Sequence, residues 1–170
     1  LPVTSDGLVV AVTLGTLGTG AVIDMLTRRI PNHLTLLTAA TGVVLAATGA
    51  THVSVAASLA GLLLGMLLMM PGHLLGATGA GDVKLLGAAG ALLGVQRVPA
   101  AFLYTAVAGG ILALLVAISR RRFATTLRGL GLVVASPQNG RRTARSAGAA
   151  NRFAYGPAIA IGCTLVALGF

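Results

Sequence analysis

Val55-Ala56-Ala57-Ser58-Leu59-Ala60-Gly61-Leu62-Leu63-Leu64-Gly65-Met66-Leu67-Leu68-Met69-Met70 contains no charged residue and one hydroxyl side chain. A helix of this composition is apolar on every side. That suits a segment surrounded by lipid or protein, and not the surface helix of a soluble domain. Crossing a bilayer takes about 20 predominantly apolar residues, and this run comes close to that length.

The same pattern recurs on both sides of it. Apolar stretches run from about Leu8 to Asp24, Leu34 to Ala50, Val83 to Val95, Ala100 to Ile118, and Phe153 to Phe170. Polar or turn-forming residues separate them: Thr27 to His33, Thr51 to Ser54, the closing Pro71-Gly72-His73, a flexible Gly76–Asp82 segment, and Arg97 with Pro99. Soluble domains carry about 25% charged residues, whereas this chain of 170 residues carries 9%. The expected fold is all-α: a polytopic integral membrane protein of about six transmembrane helices in a single domain, residues 1–170. The fourth segment is short for a full span, so it either extends back through Asp82 or lies shielded by its neighbours. The Leu8–Ile23 stretch lacks the basic flank that precedes a signal-peptide core, and it reads as a first transmembrane helix.

Charge orders the segments. Of the twelve Lys and Arg residues, Arg28, Arg29, Lys84, Arg120, Arg121, Arg122, Arg128, Arg141, Arg142, Arg145 and Arg152 fall on one side if the helices alternate, and only Arg97 falls on the other. The positive-inside rule then puts both termini outside the cytoplasm. It makes about 119–152 a basic cytoplasmic loop, in which Thr125 to Ala135 is apolar enough for an interfacial helix. With a formal net charge of +9, the expected partner of this face is anionic lipid headgroups. Nucleic acid is not expected, because the chain has no tryptophan, two tyrosines and no cysteine-rich finger. The single cysteine, Cys163, cannot form an internal disulfide and reads as a packing residue. The three histidines, His33, His52 and His73, have no metal-site spacing. Neither metal nor cofactor is expected. Gly61 with Gly65, and Gly90 with Gly94, have the four-residue spacing that lets membrane helices approach closely.

The chain has only three acidic residues, Asp6, Asp24 and Asp82. Asp24 and Asp82 stand at the ends of apolar runs, on the cytoplasmic side of the expected topology. A carboxylate near a bilayer is costly unless water, a partner or a proton compensates it. Two nearby carboxyls can share one proton, so that one activates water and the other polarises an amide carbonyl. Structural readings stay open beside this. Asp24 precedes Arg28 by one helical turn, and Asp82 has Lys84 or a helix N-terminus to pair with. A proton-coupled transporter is a further reading of the same two residues.

Three segments narrow the choice. Asp24-Met25-Leu26-Thr27-Arg28-Arg29-Ile30-Pro31-Asn32-His33-Leu34-Thr35 resembles the first active-site region of the type IV prepilin peptidases. Gly79-Ala80-Gly81-Asp82-Val83-Lys84-Leu85-Leu86 resembles their second, the GxGD signature. Tyr155-Gly156-Pro157-Ala158 with Gly162 is similar to their C-terminal segment. The resemblance implies an intramembrane aspartic protease that removes the short basic leader of prepilins or pseudopilins at the cytoplasmic face of the bacterial inner membrane. Asp24 and Asp82 match its catalytic pair. Larger members carry a cysteine-bearing insertion and methylate the new N-terminus. This chain lacks those cysteines and looks like the compact form of tight-adherence or Flp-type pili. The resemblance therefore carries over neither a zinc requirement nor methyl transfer. A pilus-assembly subunit without activity is the alternative within the same setting.

The remaining matched residues have expected supporting roles. Gly79 and Gly81 let the backbone approach substrate or the opposing helix. Lys84 stabilises local negative charge, holds a loop or anchors the topology. Pro31 sets the approach to the second helix, and Asn32 caps or braces its start. Tyr155, Gly156 and Pro157 shape the sixth helix near the active face. His33 is a weaker candidate base.

Overall fold

The computed structural model describes residues 5–119 and 155–170. The expected basic loop at about 119–152, with its interfacial stretch, lies outside the described residues except for Ser119. Among the described residues the secondary structure is helical throughout: α1 Ser5–Thr27, α2 Asn32–Ala47, α3 Val55–Leu74, α4 Ala80–Leu93, α5 Val98–Ser119 and α6 Gly156–Ala167. The protein is an all-α polytopic membrane protein. Among the described residues, three helices are long and apolar enough to cross a bilayer, over Gly7–Thr27, Val55–Leu74 and Val98–Val116. Their outward positions are apolar too. Leu14, Val22, Leu59, Leu63, Leu67, Leu103, Val107 and Ile111 are all exposed, as a lipid-facing surface requires.

Local chemistry sets the helix ends. Arg28 takes a left-handed φ of 53° and stops α1, while its N–H still donates to Asp24 O at 2.8 Å. Pro31 is extended, with φ −64° and ψ 136°, and starts α2, as the sequence led us to expect. Ser54 caps α3 by accepting from Ala57 N–H at 3.2 Å. Helix α3 does not close at Pro71. It runs through Pro71 to Leu74: proline's fixed φ is compatible with a helix, although its missing N–H and its ring disfavour an interior position. The expected flexible Gly76–Asp82 segment is also shorter than anticipated. Helix α4 begins at Ala80, with Gly79 extended before it, so Asp82 lies in the first helical turn. Gly94, at φ 77°, ends α4.

Helix α4 is the centre of the molecule. From Val83 to Leu93 every residue except Lys84 is buried. It packs mainly on α3 and α2, while α6 packs on α5 and α1. The two triplets meet where α4 touches α6 and α1, and where α3 touches α5. With 14 residues, α4 extends about 21 Å at 1.5 Å per residue. That is less than the ~30 Å hydrocarbon core. Enclosure by protein makes this tolerable, since its ends and backbone need not meet lipid. Close contact comes from small residues. Gly61 and Gly90 meet main chain to main chain, Gly42 abuts Ala91, and Gly65 abuts Leu86 and Gly87. Buried Ser58 adds a bond from its hydroxyl to Ala91 O at 2.7 Å. Leu17, Leu85, Leu86, Ile159 and Cys163 fill the core between the triplets.

Candidate active site

Asp24 lies in the last turn of α1 and Asp82 in the first turn of α4. Both side chains are buried, at 5% and 6% exposure. They lie close enough for the charge of Asp24 to act on Asp82. The two carboxyls flagged in the sequence are therefore within electrostatic range of each other, although 57 residues intervene between them. His73, at the end of α3, also lies within electrostatic range of Asp82, and its Nδ1 is 3.1 Å from Thr78 O.

Each carboxyl is held by the amide of a glycine. Gly79 N–H donates to Asp82 Oδ2 at 2.8 Å. Gly156 N–H, at the start of α6, donates to Asp24 Oδ2 at 2.8 Å in a buried bond. Such bonds offset the cost of taking a carboxyl out of water. The contact at Asp82 is half of a capping box, with the acid at the third helical position reaching back to the amide of the cap residue. Helix capping thus accounts for the orientation of Asp82. It does not account for the burial of a second carboxyl, Asp24, within electrostatic range of it.

The ordinary ion pairs suggested by spacing do not form. Arg28 is exposed, and Asp24 turns inward to Gly156 instead of toward it. Lys84 does not pair with Asp82. It reaches across to α2, and its Nζ donates to Asn32 Oδ1 at 3.0 Å. Asn32 therefore braces α2 against α4. It makes no capping bond, because Pro31 occupies the cap position. Gly81 admits Ile30 of the α1–α2 turn, since a Cβ there would lie 3.1 Å from Ile30 Cβ. His33 is exposed at the start of α2. Among the described residues, no three of His, Cys, Asp and Glu converge as a metal site.

Sequence reasoning missed one component. Tyr155, Gly156 and Pro157 were expected to shape a helix, and α6 does start there. The direct bond to Asp24 was not foreseen. A main-chain amide has no side-chain signature, and it meets the carboxyl only once α1 and α6 have packed. Tyr155 lies within electrostatic range of Asp82. At the other end of the bundle, a cavity of about 220 Å³ is lined by residues that include Thr51, His52, Ser54, Gln96 and Arg97. Arg97 thus stands apart from Arg28, Arg29 and Lys84, which accompany the aspartates.

Asp24 and Asp82 are thus two buried carboxyls within electrostatic range of one another, each held by a main-chain amide. A family model described as the type IV leader peptidase family matches residues 11–114. The matched span includes Asp24 and Asp82 and stops before α6. No curated protein and no solved structure matches the chain.

Proposed function

This chain belongs to the type IV leader peptidase family, and we propose that it is an aspartic endopeptidase that removes the short basic leader of prepilins or pseudopilins at the cytoplasmic face of the bacterial inner membrane. The observation that carries this reading is the pair of buried carboxyls, Asp24 and Asp82, brought together from α1 and α4. In the proposed reaction one carboxylate takes a proton from water. The water oxygen attacks the scissile carbonyl carbon, and the other, protonated carboxyl donates to the carbonyl oxygen. Collapse of the tetrahedral intermediate breaks the C–N bond, and the leaving amine takes up a proton.

The same reading sets the orientation. Arg28, Arg29 and Lys84 cluster at the end that holds the aspartates, and the positive-inside rule makes that end cytoplasmic. Six spans then leave both termini outside. A basic leader carried on an apolar segment would meet the site at the membrane surface, with anionic headgroups around it.

Co-expression with a candidate prepilin tests the proposal. Asp24→Asn and Asp82→Asn should accumulate normally in the membrane, because removing a buried charge relieves desolvation. Each should leave the precursor at full length by gel and mass spectrometry, while Asp6→Asn cleaves it. Normal processing by either active-site variant would remove the paired-acid mechanism. Proton-coupled flux through liposomes without cleavage would favour a transporter instead.

A further inference from the structure

The bond between Gly156 and Asp24 joins residues 132 positions apart. Its geometry leaves no room for a side chain. A Cβ on Gly156 would lie 2.9 Å from Asp24 Oδ2, 3.0 Å from its Cβ and 3.3 Å from its Cγ. The whole side chain of Asp24 rests against the main chain at the start of α6. Pro157 has no N–H, so the first two residues of α6 offer a single amide donor, and Asp24 takes it.

That start is itself seated. The ring of Tyr155 fills the space beside Gly109 of α5, where an added Cβ would come within 2.5 Å of it. Farther along, a Cβ on Gly162 would collide with Thr105 and meet Ala101 O at 2.9 Å. Helix α6 therefore lies close against α5 and cannot easily retreat from Asp24. Its first residue sets where the carboxyl stands.

We infer that Gly156 is a positioning residue for Asp24: its amide and its missing side chain together hold the α1 carboxyl in the place where it acts with Asp82. The inference rests on the proposed catalytic role of Asp24. It adds a third element, α6, to a site whose family match ends at residue 114.

The test uses the full chain, purified in detergent, and a synthetic peptide with a basic leader followed by an apolar segment. Cleavage kinetics and thermal unfolding are measured for the wild type, Gly156→Ala, Asp24→Ala and the double variant. Gly110→Ala serves as control, since Gly110 is exposed and a Cβ there meets nothing within 4 Å. Gly156→Ala keeps the amide but pushes the carboxyl aside. Displacement of about 1 Å costs about 100-fold in rate, so kcat should fall by about that factor with KM unchanged. The unfolding midpoint should also fall less when Gly156→Ala is introduced beside Asp24→Ala than when it is introduced alone.

Unchanged kcat in Gly156→Ala, or a rise in KM with kcat retained, overturns the inference. So does an equal loss of stability in both backgrounds. Should Gly156→Ala fail to accumulate, recovery by adding Asp24→Ala supports the inference and failure to recover overturns it. A wild-type chain that cleaves nothing would sink the proposed activity alone, because the stability cycle still reads the coupling between Gly156 and Asp24.

Discussion

Gly61→Ala is the sharpest test of how α4 is held. A Cβ at Gly61 would collide with Gly90 O and would lie 2.9 Å from Gly94 C and 3.0 Å from Gly90 C. All three atoms are main chain of α4 or its cap, so no rotamer change relieves them. Helix α4 must move away from α3 as a unit. Overpacking of this kind costs about 1–3 kcal/mol, and rigid backbone on the receiving side argues for the upper half of that range. Replacing glycine inside a helix returns about 1 kcal/mol of intrinsic propensity. The net expectation is destabilisation by about 1–2 kcal/mol, or roughly 5–30-fold in the folded-to-unfolded ratio. Gly15→Ala isolates the propensity term, since a Cβ there meets nothing within 4 Å. Reversible unfolding in mixed micelles measures both variants. A Gly61→Ala chain as stable as Gly15→Ala would refute the main-chain contact between α3 and α4. Because Asp82 rides on α4, the shift should also reduce cleavage.

Other expectations follow from particular residues. Ser58→Ala removes the buried bond to Ala91 O and should cost about 0.6 kcal/mol, at most ~1.7, in the same unfolding assay, which is the range for interhelical bonds in membranes. Cys163 is fully buried, so a maleimide should leave it unmodified until the protein unfolds; rapid labelling in the native state would contradict the packing of α6. In a Cys163→Ala background, a cysteine at position 51 should label from outside the cell and one at position 130 from the cytoplasm. Labelling of position 130 from outside alone would invert the proposed topology.

Much of the architecture was legible because membrane insertion depends on local composition. Runs such as Val55–Met70 announce their environment without reference to anything else in the chain, and the helix positions agree with those runs to within a few residues. Departures arise at the ends. Pro71-Gly72-His73 was read as the close of the third segment, yet proline's φ is compatible with helix and α3 continues three residues beyond Pro71. Gly76 to Asp82 was read as a flexible segment rich in glycine. Capping by Gly79 and Asp82 instead starts α4. The two aspartates stood out for a similarly local reason, since a carboxyl in an apolar setting is expensive wherever it lies.

Which surfaces meet was a different matter. A lipid-exposed face and a buried face are both apolar, so the helices carry little polarity contrast to show which side points inward. Only tertiary packing made α4 the enclosed element and brought Gly61 against Gly90. It also turned Lys84 toward Asn32 and not toward Asp82, and set the amide of Gly156 on Asp24. Those contacts join main-chain atoms and residues distant in sequence, and their energies exist only once the helices have come together. Composition alone determined that this chain lives in a membrane and that Asp24 and Asp82 needed an explanation; packing decided that both are buried and within electrostatic range of each other.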